Sequence, residues 1–177
     1  MRRPLVLTMV AVFVVALLAA ACRSDSGPSA GSDASANISR NAVCVSVGER
    51  ASAAASVAVT LNEWAIGPAT SSVTAGTVTF DARNRGDEAH ELVVIKGVTP
   101  NQLPKGDGGA LDEKRLPAGA IVGEIEPFGG GRDCDGTFAL AAGEYTLVCN
   151  ITQELNGKSV SHLAEGMVTT FTVNPRP

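Results

Sequence analysis

Two histidines, His90 and His162, are the only ones in this 177-residue chain. His162 belongs to the pattern Cys149-x12-His162-x4-Met167, and His90 stands at the head of an apolar run, HELVVIK. Met1 and Met9 lie in an N-terminal apolar stretch, so Met167 is the one methionine beyond it. Each residue alone has an ordinary explanation: a lone His is a turn or surface residue, a lone Met fills a core, and a lone inward Cys is inert or disulfide-bonded. Together, two imidazoles, a thiolate and a thioether form a donor set that suits copper, with Cys and two His in a trigonal plane and a weak Met on one side. The expected site is therefore one copper ion held by His90, Cys149, His162 and Met167.

Residues so far apart in the chain can meet only if the intervening elements fold back on one another. Short β-branched or alternating runs are separated by Gly, Pro, Asn and Asp at intervals too short for helices. Val57, Val59 and Leu61 share one face, as do Val78, Phe80 and Ala82, and Leu92 and Val94. Tyr145, Leu147 and Cys149 share another, and so do Met167, Phe171 and Val173. The expectation is an all-β antiparallel sandwich. Residues 99–117 carry too many helix and strand breakers for a regular element and read as a surface excursion with a solvated acidic face at Asp107, Asp112 and Glu113. Trp64 reads as a packed aromatic at a strand end.

The N-terminus speaks to the compartment. Arg2 and Arg3 precede an apolar run from Leu5 to Ala21 that ends in three alanines and Cys22, the pattern of a secretory signal peptide. The last residues resemble the lipobox of bacterial lipoproteins, which implies lipidation of Cys22 and a chain anchored at the outer face of the cytoplasmic membrane. The Ser/Gly/Asp-rich stretch that follows has little to bury and reads as a tether. The expected organisation is a signal peptide over 1–21, an anchored tether and N-terminal segment over 22–50, and one domain over 51–177. Cleavage would remove two of the 14 Lys+Arg and none of the 18 Asp+Glu, moving the formal net charge from -4 to -6. Nucleic acid is not an expected partner of so acidic a chain.

An exported chain can form disulfides. With Cys22 given to lipid, Cys44, Cys134 and Cys149 remain, and two pairings stay open on the residues alone: Cys134 with Cys149, or Cys44 with Cys134 and Cys149 left as a thiolate.

From about Ser56 to Val173 the chain resembles the plastocyanin- and azurin-like cupredoxins. NRGDEAHELVVIK is similar to their first-histidine region, and YTLVC with SHLAEGM to their C-terminal ligand loop. The resemblance implies a Greek-key β-sandwich with one type 1 copper at His90, Cys149, His162 and Met167. With Cys149 claimed by copper, the expected disulfide is Cys44–Cys134. The gap between Cys149 and His162 is longer than in the small electron carriers. Asn156-Gly157 in its middle is a strong hairpin signal, pairing Leu155 with Lys158, Gln153 with Val160 and Ile151 with His162, while Gly166 would bend the chain so that Met167 turns back.

No HExxH pair, GxSxG elbow or second histidine cluster is present, so no enzyme is expected. The expected function is one-electron transfer with a redox partner protein. The alternatives are copper handling with a donor or acceptor protein, and a metal-free interaction module.

Overall fold

The computed structural model describes residues 40–177. The expected signal peptide, the expected lipidation site Cys22 and most of the expected tether lie outside the described residues. Among the described residues, no helix is long and apolar enough to cross a membrane.

Two sheets face each other. The first has the order β2-β1-β4-β7, built from β1 (Ala55–Asn62), β2 (Ala65–Pro68), β4 (Gly76–Asn84) and β7 (Asp133–Leu140). The second has the order β3-β11-β8-β5-β6, from β3 (Ser72–Thr74), β5 (His90–Lys96), β6 (Ile121–Phe128), β8 (Gly143–Val148) and β11 (Val168–Asn174). β4 and β7 are neighbours in the first sheet although the β5–β6 hairpin of the second lies between them in sequence, which is the Greek-key crossing. The antiparallel expectation needs one correction: β1 pairs parallel with β4, and β3 parallel with β11. The chain crosses to the opposite sheet between these partners, so a hairpin is not what joins them.

The alternating residues read from the sequence build the core. Val57, Val59, Leu61, Val78, Phe80, Ala82, Leu92, Val94, Tyr145, Leu147, Phe171 and Val173 all lie in one buried cluster between the sheets. Each buried aliphatic or aromatic side chain contributes roughly 1.5–3 kcal/mol. Phe80 packs edge-to-face on Phe171 at 5.4 Å between centroids, which joins the two sheets across the middle.

β5 departs from simple alternation, because its other face is buried as well. Val93 and Ile95 belong to a second cluster with Leu103, Leu111, Val148 and Leu163. The segment 99–117 is therefore more than a surface excursion. Its three short 3-10 turns lay Leu103 and Leu111 over the outer face of the second sheet. Sequence periodicity could not show this, since two leucines among breakers carry no period.

Cys44 and Cys134 form a disulfide with Cα atoms 5.2 Å apart, as expected once Cys149 is set aside. The bridge closes a loop with a sequence separation of 90 residues, which contributes about 4.6 kcal/mol on the chain-entropy account. The segment around it is bound to the sandwich edge: Val47 N donates to Asp135 O, Thr137 N donates to Val47 O, and Arg40 forms an ion pair with Glu88.

Candidate metal centre

The four candidate ligands come from two places in the fold. His90 opens β5, and its register with β6 slips by one residue between His90 and Leu92, a bulge of the kind that re-aims side chains beside sites. Cys149 follows the last residue of β8. The chain then enters a hairpin of β9 (Thr152–Leu155) and β10 (Lys158–Ser161). Its register is the one expected, Leu155 opposite Lys158 and Gln153 opposite Val160, with positive φ at Asn156 (53°) and Gly157 (74°). His162 N donates to Ile151 O at 2.9 Å, so the arms return His162 to the Cys149 end.

One helical turn follows, α1 (His162–Glu165), capped by the Ser161 hydroxyl and ended by Gly166 at φ 122°. This turn was not foreseen in the sequence, where four residues show no helical period. It reverses the chain so that Met167 N donates to His162 O at 2.9 Å and Met167 O accepts from Cys149 N at 3.1 Å. Two backbone bonds thus stitch the three C-terminal candidates together.

His90, Cys149, His162 and Met167 are all fully buried, at 0% exposure. The Nδ1 atoms of His90 and His162 are 3.2 Å apart, and Cys149 Sγ is 3.3 Å from His162 Nδ1. One donor atom from each of the three lies within 4.8 Å of the others, the sole such group among the described residues. First-row ions bond imidazole nitrogen at about 2.0 Å and thiolate at about 2.3 Å. A planar trigonal arrangement of such bonds spaces the donors about 3.5–3.7 Å apart. The cluster therefore fits a single copper ion with little movement.

Electrostatics point the same way. Burial pushes the Cys149 thiol well above its ordinary value, and the nearby Glu91 carboxyl adds to this. A cation among the donors supplies what the thiolate lacks. Burial also lowers both histidines, His162 to about 4 with the facing His90 contributing. Both imidazoles are thus neutral near pH 7, as ligation requires.

The surrounding shell was largely invisible in the sequence. His90 Nε2 lies within hydrogen-bond distance of Glu63 Oε1, at 3.1 Å. Trp64, from the β1–β2 turn, is half-buried and lies edge-to-face with His162 at 4.7 Å between centroids and with His90 at 6.5 Å. The strand-end aromatic is thus the wall of the site. Asn150, next to Cys149, clasps the 99–117 segment: its Oδ1 accepts from Leu111 N at 2.6 Å and its Nδ2 donates to Leu111 O and to Glu113 Oε1. Glu113 is therefore partly engaged by the ligand loop instead of being only a solvated charge. Asn150 N donates to Glu91 Oε1 at 2.7 Å, which ties the Cys149 end to β5. No sequence signal marks Glu63 or Asn150, because their partners lie 27 to 59 positions away.

No family model and no curated protein matches the chain. Solved structures do. Auracyanin B is 22% identical, covering 76% of this chain and 97% of its own with a TM-score of 0.49. Auracyanin A, described as a "blue" copper protein from the green thermophilic photosynthetic bacterium Chloroflexus aurantiacus, is 23% identical over 67% and 98%, with a TM-score of 0.44. Rusticyanin from Thiobacillus ferrooxidans is 18% identical over 73% and 81%, with a TM-score of 0.41.

Proposed function

We propose that the protein is a mononuclear blue copper electron carrier, ligated by His90, Cys149, His162 and Met167 and tethered through Cys22 to the outer face of the cytoplasmic membrane. The observation that carries this reading is the convergence of two imidazole Nδ1 atoms and the Cys149 sulfur in a fully buried pocket. Bound copper would supply a Cu(II)/Cu(I) couple, shuttling one electron to and from a redox partner protein.

The chain's own part is to hold the donors still. His90 is fixed by a strand and the Cys149–Met167 loop by backbone bonds and a hairpin, so the donor positions need change little when one electron is gained or lost. Burial keeps water from the donors, which lowers the solvent reorganisation that electron transfer costs. It also favours electron transfer over copper delivery, because an ion handed between proteins needs an open coordination position and these four side chains offer no exposed edge. The membrane address rests on the signal-like N-terminus and the cysteine that closes it.

Loading the metal-free domain with Cu(II) is expected to give an intense visible thiolate charge-transfer band, and Cys149→Ser is expected to abolish it. A colourless protein with a free, reduced Cys149 refutes the reading.

A further inference from the structure

The far nitrogens of the two histidines are treated differently. His162 Nε2 is buried and has no hydrogen-bond partner among the described residues, whereas His90 Nε2 lies 3.1 Å from Glu63 Oε1, and an ionised carboxylate there can only accept. Glu63 is brought to His90 from the β1–β2 turn, 27 positions earlier in the chain.

Its carboxylate is itself held. Glu88 N donates to the same Oε1 at 2.8 Å. Burial raises the Glu63 carboxyl, but the backbone N–H groups of Glu88, Glu63 and Asp87, with His90 beside them, outweigh this and leave it below its ordinary range. The cradle also requires Gly86, since a Cβ there would stand 2.3 and 2.4 Å from the two carboxylate oxygens. Glu88 is fixed in turn: Asn84 Nδ2 donates to its backbone oxygen at 2.8 Å, and Arg40 pairs with its carboxylate. The residues NRGDE thus do more than lead into β5; they form a socket for a carboxylate from another strand pair.

We infer that Glu63 is a positioning residue of the metal centre: its carboxylate fixes His90 in the Nε2–H tautomer, leaves Nδ1 as the donor, and sets a negative charge one imidazole away from the ion. An imidazole can bind metal through either nitrogen, and the group accepting from the other decides which. A carboxylate in this role makes the ring a stronger donor and favours the more positive oxidation state of the ion it faces. The tautomer follows from the protein alone, and only the effect on potential rests on the copper reading.

Three variants test this, with nitrogen-15 imidazole shifts read on the metal-free protein and copper off-rate and reduction potential on the loaded one. The wild type is expected to show His90 as Nε2–H. Glu63→Gln keeps an acceptor oxygen without the charge, so the tautomer should stay and the potential should rise. Glu63→Ala should give mixed His90 tautomers and about 10- to 100-fold faster copper loss. Gly86→Ala should reproduce the mixed tautomers by displacing the carboxylate without removing it, which keeps the test open if Glu63→Ala fails to fold. A wild-type His90 protonated at Nδ1, an unchanged tautomer in folded Glu63→Ala or Gly86→Ala, or an unmoved potential in Glu63→Gln overturns the inference. If the wild type takes up no copper, the copper reading falls, while the metal-free tautomer still decides whether Glu63 holds His90.

Discussion

His90 and His162 carry the same side chain at the same burial, yet the molecule holds them by different means. His90 sits in a strand with sheet partners on both sides, and its ring is held by a hydrogen bond to Glu63. His162 sits at the start of a single helical turn; its Nδ1 faces His90 and Cys149, but its far nitrogen has no hydrogen-bond partner among the described residues, so outside the donor cluster its ring is held by contact with Trp64 and by the backbone bonds to Ile151 and Met167. A hydrogen bond sets direction, while packing sets only room. Perturbations on the His162 side should therefore move the metal centre more for a given loss of stability than perturbations in the sheet around His90.

The largest expected effect comes from Trp64→Ala, which removes the wall against His162. Loss of a half-buried indole should cost about 2 kcal/mol, less than the full core value, as measured by denaturant unfolding. Imidazole resonances of the metal-free protein should broaden at His162 and stay sharp at His90. Equal broadening of both rings would break the comparison, since Trp64 also touches His90.

Gly157→Val probes the same side from a distance. A β-branched residue resists φ of +74°, so about 1–2 kcal/mol of strain is expected at the turn. Because the ribbon shares little of the core, its damage should appear chiefly as a shifted visible band or faster copper loss. Deleting the facing pair Glu154 and Ser159 together preserves the register and should leave the band nearly unchanged. An unaltered band in Gly157→Val would mean that the hairpin does not position His162.

The smallest effect tests how the two halves are joined. Glu91, beside His90, accepts from Asn150, beside Cys149, and burial followed by the Glu124 charge pushes its carboxyl to about 8. Glu124 is itself raised to about 7, by burial first and then by Glu126 and Glu113. A folded value above the unfolded one means that the native state keeps a proton the unfolded chain gives up. This stabilising contribution is full below the ordinary glutamate value of 4.5 and is lost as pH rises through about 7 for Glu124 and about 8 for Glu91. Glu124→Gln should flatten the fall of the metal-free unfolding midpoint between those limits. A pH profile identical to that of the wild type would show that Glu124 does not bear on the joint.

Much was legible in the sequence where the cause was local or compositional. Strand faces follow from alternation, as in Val57-Val59-Leu61. The hairpin register follows from Asn156-Gly157, because positive φ at two adjacent residues selects one turn and one pairing. The grouping of His90, Cys149 and His162 was legible because such ligands are scarce in this chain, and the disulfide followed once Cys149 was reserved for the metal.

Only the tertiary structure decided the rest: the parallel pairing of β1 with β4, the packing of the 99–117 segment on the second sheet, and the shell of Glu63, Trp64, Glu91 and Asn150. Each depends on contacts between segments far apart in sequence, where side-chain type is compatible with many roles. A glutamate in a turn is a solvated charge until a neighbouring loop offers it two backbone amides and an imidazole, and no residue near Glu63 in the chain announces that they will be there.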